Sequence, residues 1–190
     1  METHSRIYFV SGGARSGKSA FAEDLAAKLG GDKVGYIATS IPFDEGMRDR
    51  VKKHVDRRPS AWTTFEEAYT PSQAILAHGA SQEVYLLDCL TILSTNHMLK
   101  DNHDWDLVQR DLVDQIEADL CKEIDAIVEA VHKTKTRLIF VTNELGLGVV
   151  PENRMARLFR DIAGIVNQKA AAHTDEAWMV VSGLPLKIKG

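Results

Sequence analysis

The feature that most constrains this chain is the run Gly12-Gly13-Ala14-Arg15-Ser16-Gly17-Lys18-Ser19. It satisfies the spacing G-x-x-x-x-G-K-[ST], follows the apolar run Ile7-Tyr8-Phe9-Val10 directly, and leads into an amphipathic stretch. A strand, a glycine turn and a helix in that order form a phosphate cradle. Gly12 and Gly17 let the backbone wrap so that successive N–H groups face a phosphate chain. The helix that starts at the loop adds its dipole to the same anion. Lys18 reaches the β- and γ-phosphates, and the Ser19 hydroxyl joins a Mg²⁺ shell. The bland alternative is a ligand-free strand–helix turn, and the flanking strand and helix argue against it.

The rest of the chain repeats the alternation. Apolar strands are expected over residues 7–11, 34–38, 84–88, 137–142 and 177–182, with a weaker one over 62–65 and an edge strand over 186–188. Helices are expected over 18–29, stopped by Gly30-Gly31, and over 44–57, capped by Asp44 and ended by Pro59. Pro71 opens a short helix that Gly79 closes. A long helix is expected over 105–133 behind Asp104, with Leu112, Ile116, Leu120, Ile124, Ile127 and Val131 on one stripe, and another over 152–173. Continuous apolar strands alternating with helices specify an α/β fold with a largely parallel sheet covered on both faces. Ligands in such sheets bind beyond the C-terminal strand ends.

Composition narrows the function. At 190 residues the chain is expected to form one catalytic domain spanning 1–190. The formal net charge of −4 argues against indiscriminate nucleic-acid binding. No apolar run approaches the roughly 20 residues of a membrane span, and the 7–10 run is too short for a signal-peptide core. Cys89 and Cys121 make neither a disulfide framework nor a zinc set and are expected as buried thiols. A cytoplasmic protein is therefore expected.

Three further elements bear on chemistry. Asp88 closes the apolar run 84–88 and so falls at the C-terminal sheet edge, where it can help hold Mg²⁺; the alternative is a cap on a helix starting near Leu90. Asn143-Glu144 ends the 137–142 strand at the same edge, with substrate contact and a turn both open. The segment 48–58 is basic, and Arg50, His54 and Arg58 share one helical stripe. Guanidiniums there bind phosphate oxygens and disfavour imidazolium, leaving a neutral nitrogen nucleophile. Spacing alone favours a solvated basic helix with an incidental histidine.

These runs together resemble the bifunctional adenosylcobinamide kinase / adenosylcobinamide-phosphate guanylyltransferase family of cobalamin biosynthesis. The resemblance is carried by residues 10–19, Tyr36-Ile37-Ala38-Thr39-Ser40, the 47–59 segment and Thr142-Asn143-Glu144. It continues through Gly146-Leu147-Gly148-Val149-Val150-Pro151-Glu152-Asn153-Arg154, Phe159-Arg160-Asp161, Val166-Asn167-Gln168 and the ending 181–187. It implies a P-loop fold with a RecA-like sheet, a homotrimer, and two reactions. ATP or GTP phosphorylates the aminopropanol hydroxyl of adenosylcobinamide; then a histidine takes GMP from GTP and passes it to the substrate phosphate, giving adenosylcobinamide-GDP. His54 falls where that histidine belongs, in a Lys53-His54 pair where relatives often show two histidines. The resemblance also implies nucleotide contacts at Thr39, Ser40, Asp56, Arg57, Arg58, Pro59, Glu66 and Asp88, beside Gly12, Gly13, Ala14, Arg15, Ser16, Gly17, Lys18 and Ser19. Ser19 and Asp88 are the metal ligands in this reading, and Lys18 and His54 the catalytic pair. A single-activity small-molecule kinase would share Lys18, Ser19 and Asp88 but have no use for His54. A nucleotide-binding regulatory protein would bind GTP with Mg²⁺ and turn nothing over.

Overall fold

The computed structural model describes residues 6–41 and 58–190. Within them the chain runs β1 (Ile7–Gly12), α1 (Lys18–Gly30), β2 (Val34–Ala38), β3 (Thr63–Glu66), α2 (Pro71–His78) and β4 (Val84–Asp88). It continues through α3 (Leu90–Leu99), α4 (Arg110–Thr134), β5 (Arg137–Asn143), α5 (Arg154–Ala172), β6 (Glu176–Val181) and β7 (Leu184–Lys189). The expected helix over 44–57 lies outside the described residues.

The strands form one sheet in the order β3-β2-β4-β5-β1-β6-β7. Every pairing is parallel except β6 with β7. Burial on both faces explains the unbroken apolar runs. Ile7 and Phe9 of β1 join Tyr85, Leu87, Leu138 and Phe140 in a core against α2–α5. Tyr8 and Val10 point the other way, with Leu86, Ile139 and Val141, towards Ala22 and Ala26 of α1. The period-2 alternation of strand side chains thus feeds two separate cores. Insertion of β5 between the phosphate-loop strand β1 and the Asp88 strand β4 is the RecA-like arrangement of a P-loop fold.

Gly35 shows how closely these layers meet. A Cβ there would lie 2.8 Å from the Tyr85 ring and 2.9 Å from Phe65. The Tyr85 ring is fully buried and pinned by its hydroxyl, which donates to Gly79 O at 2.8 Å. Gly35→Ala is therefore expected to cost about 1–3 kcal/mol, as overpacking does. The check is a lower urea midpoint at unchanged slope.

Three expectations shift. The long helix begins at Arg110 rather than Trp105. Asp104 instead closes a turn, accepting from Asp106 N at 3.0 Å through its side chain and from Leu107 N at 3.0 Å through its carbonyl. The carbonyls of Trp105 and Val108 are taken by Arg154, at 2.7 and 2.8 Å. At the other end of the chain, β6 stops at Val181 because Ser182 (φ 53°) and Gly183 (φ 81°) turn the backbone into the antiparallel β7. Cys89 is buried as expected, whereas Cys121 is half-buried.

Candidate functional site

The phosphate loop joins the end of β1 to the start of α1. Gly17 sits at φ 96° and Arg15 at φ 56°, so the turn uses left-handed backbone at both positions. Gly12 is required for another reason: a Cβ there would meet Ser16 Oγ at 2.5 Å and Val180 O at 2.6 Å. The loop is tied by Ser16 N to Gly13 O at 3.2 Å and by Gly183 N to Ser16 O at 2.7 Å. The β6–β7 turn thus buttresses the cradle from the far end of the sequence. Lys18 is buried to 9 % exposure and its Nζ donates to Gly13 O at 3.3 Å, which lays the ammonium across the loop. Ser16 Oγ is buried without a hydrogen-bond partner among the described residues. A buried hydroxyl and a buried ammonium where a glycine loop enters the first turn of α1 suit a polyanion.

Asp88 stands at the edge of β4, half-buried, in register with Ala38 on β2 and Val141 on β5. It does not act as a side-chain cap for α3. Its Oδ2 accepts from the Tyr36 hydroxyl at 2.7 Å. Burial, reinforced by the Asp88 carboxylate, pushes the Tyr36 phenol far above its ordinary value, so it stays a donor. The Arg58 guanidinium lies 3.6 Å over the Tyr36 ring and donates to Thr64 Oγ1 at 3.2 Å. Arg58, Tyr36 and Asp88 therefore form one contiguous line from the basic segment to the phosphate edge. Beside Asp88, burial pushes the Cys89 thiol up to about 12, which keeps it protonated and unfit as a nucleophile.

The other expected residues fall in different places. Thr39 is fully buried, and its hydroxyl bridges the backbone of Cys89, donating to the carbonyl at 3.0 Å and accepting from the amide at 2.9 Å. Asn96 holds the Thr39 carbonyl at 2.7 Å. Thr39 thereby locks the ends of β2 and β4 together, and Ser40 follows it half-buried. Pro59 is exposed and, with Trp62, lines a cavity of about 340 Å³ against α1. Glu66 ends β3, in register with Ala38, but four strand steps from β1, roughly 19 Å at the usual spacing. His54, Asp56 and Arg57 lie outside the described residues.

A polar network at the end of β5 was not legible in the sequence. Thr91 Oγ1 lies 3.1 Å from Thr142 Oγ1 and accepts from Asn143 N at 2.8 Å. Thr142 donates to Asn167 Oδ1 at 2.7 Å, and Asn167 Nδ2 returns to Asn143 O at 3.2 Å. It joins α3, β5 and α5 around the Asn143-Glu144 pair. The following loop is held by Arg160, which donates to Gly146 O at 3.0 Å and Gly148 O at 3.3 Å, and by Arg157, which donates to Pro151 O and Glu152 O.

The donor set also bears on the metal. No cluster of three or more His, Cys, Asp or Glu ligands occurs among the described residues. One carboxylate and one hydroxyl, Asp88 and Ser19, are hard oxygen donors at the same sheet edge, on elements that pack together. That sparse oxygen set suits Mg²⁺, which binds through one or two carboxylates plus substrate phosphates.

Known proteins match this arrangement over almost its whole length. The family described as cobinamide kinase / cobinamide phosphate guanyltransferase matches residues 8–188. The bifunctional adenosylcobalamin biosynthesis protein CobU of Salmonella typhimurium is 42 % identical over 188 residues, covering 96 % of this chain and 99 % of the relative. Its Escherichia coli counterpart matches with the same identity and coverage. The bifunctional adenosylcobalamin biosynthesis protein CobP of Pseudomonas aeruginosa is 38 % identical over 181 residues, covering 95 % of this chain and 96 % of the relative.

Proposed function

This chain belongs to the cobinamide kinase / cobinamide phosphate guanyltransferase family, and we propose that it carries out both reactions on adenosylcobinamide, with His54 as the guanylylated residue. In the first, the aminopropanol hydroxyl oxygen bonds to the γ-phosphorus of ATP or GTP. The β–γ bridge breaks and the nucleoside diphosphate leaves. In the second, a neutral His54 nitrogen bonds to the α-phosphorus of GTP and pyrophosphate leaves. The substrate phosphate then displaces the imidazole, giving adenosylcobinamide-GDP.

The observation that carries the reading is the built phosphate cradle, with Lys18 across Gly13 and Asp88 beside it, in a chain that matches bifunctional relatives nearly end to end. Lys18 offsets charge on the β- and γ-phosphates in both reactions. Ser19 and Asp88 would hold Mg²⁺, whose chemistry there is charge neutralisation on the phosphate chain. Tyr36 orients the Asp88 carboxylate through its 2.7 Å bond. Arg58 brings a guanidinium to the same edge from the segment that carries His54. Thr39, Ser40, Asp56, Arg57, Pro59 and Glu66 complete the nucleotide contacts in this reading.

A homotrimer in the cytoplasm fits the same reading. Leu184, Leu186 and Ile188 leave the edge strand β7 with exposed apolar side chains, the kind of edge that proteins cover. The two free thiols suit a reducing compartment. No described helix is long and apolar enough to cross a membrane.

The test is incubation with GTP labelled at the α-phosphate. Label should remain on the protein and move to adenosylcobinamide phosphate when that acceptor is added, with pyrophosphate released. Phosphorylation of adenosylcobinamide without any protein label or pyrophosphate release would leave the single-activity kinase as the correct reading.

A further inference from the structure

We propose that Glu144 is the general base of the phosphoryl-transfer step, accepting the proton of the substrate hydroxyl as its oxygen bonds to the γ-phosphorus. This rests on the kinase reading above. An alcohol must lose a proton to become a phosphate ester, and a carboxylate within reach of the γ-phosphate can take it. Sheet order decides which one. Glu144 follows β5, the immediate neighbour of β1, and its backbone N donates to Gly12 O of the phosphate loop at 3.1 Å. One strand step is about 4.8 Å, whereas Glu66 is four steps away. Asp88 is already engaged by Tyr36 and serves the metal in this reading. Glu67 is taken up by Tyr69 N and Thr70 N, at 3.1 and 3.0 Å.

The Glu144 carboxylate is also held in place. Its Oε1 accepts from Gly146 N at 2.6 Å. A Cβ on Gly146 would lie 2.9 Å from the same oxygen, so a side chain there would push the carboxylate aside. Arg160 fixes the Gly146 carbonyl from α5, and the Thr91–Thr142–Asn167 network fixes Asn143 from behind. The second carboxylate oxygen makes no hydrogen bond among the described residues, which leaves it available for a substrate hydroxyl. In the balanced step, the hydroxyl proton passes to that oxygen, the new O–P bond forms, and the electron pair of the β–γ bridge leaves with the nucleoside diphosphate.

The two reactions differ in what they ask of a base, and that separates the outcomes. The acceptor in guanylyl transfer is a phosphate oxygen that is already ionised and has no proton to give up. Glu144→Gln should therefore lower adenosylcobinamide phosphorylation about 10²-fold or more. Guanylyl transfer from GTP to supplied adenosylcobinamide phosphate should fall far less, below tenfold. Glu144→Asp, which keeps a carboxylate, should recover part of the kinase rate, and matching thermal melts would establish that all three proteins are folded. Kinase activity of Glu144→Gln within tenfold of wild type, or equal loss of both reactions, would overturn the assignment. Absence of adenosylcobinamide phosphorylation in the wild type would instead overturn the functional reading itself.

Discussion

His54→Ala is expected to form no GMP adduct and to make no adenosylcobinamide-GDP, while keeping most of its adenosylcobinamide phosphorylation. Phosphoryl transfer to a hydroxyl depends on positioning and charge neutralisation, not on a protein nucleophile. Guanylyl transfer through the protein has no route without one. The sequence sets Arg50 and Arg58 four residues to either side of His54, and guanidiniums near an imidazole disfavour its protonation and bind phosphate oxygens. The adduct would be a phosphoramidate, broken by acid and stable to alkali. Mass spectrometry of the GTP-treated protein, wild type beside variant, reads this directly. An adduct that survives in the variant, or that maps to Lys53 in the wild type, would move the nucleophile elsewhere.

Lys18→Ala should impair both reactions together. Lys18 is buried and its ammonium lies against Gly13 O, so in the proposed reaction it would meet the phosphates from a fixed position rather than be recruited from solvent. Loss of one such preorganised contact typically costs about 2.7–4 kcal/mol in the transition state, or roughly 10²–10³ in rate. Lys18→Arg should not restore activity, because a planar guanidinium does not fit where a compact ammonium is enclosed by the loop. Steady-state rates of phosphorylation and of pyrophosphate release, measured on the same preparation, check the claim. Wild-type rates in either reaction would remove Lys18 from that reaction.

Much of the frame follows from local pattern. The buried strands β2 and β4 start and end where their apolar runs do, since a strand covered on both faces needs apolar residues at every position. Gly31, Pro71 and Gly79 punctuate the helices as their backbone preferences require. The phosphate loop was legible because its whole chemistry lies within consecutive residues and one helix start. The start of α4 was not, because the group that draws the Trp105 and Val108 carbonyls out of a helix is Arg154, more than forty residues further along.

The parallel α/β frame, the phosphate cradle and the acidic strand end at Asp88 were each readable because each is a property of neighbouring residues. The fold brought together side chains that the sequence leaves far apart. It placed Tyr36 on Asp88, Gly183 against Ser16, and Asn167 behind Asn143. It also gave Glu144, whose place at a strand end fits a turn or a substrate contact equally well, its surroundings: the carboxylate accepts from Gly146 N at 2.6 Å. Parallel pairing of β5 beside β1 then set it against Gly12, while the same kind of strand end left Glu66 four steps away. Strand order arises from crossover connections and from which apolar faces bury together, and no local run of residues encodes it.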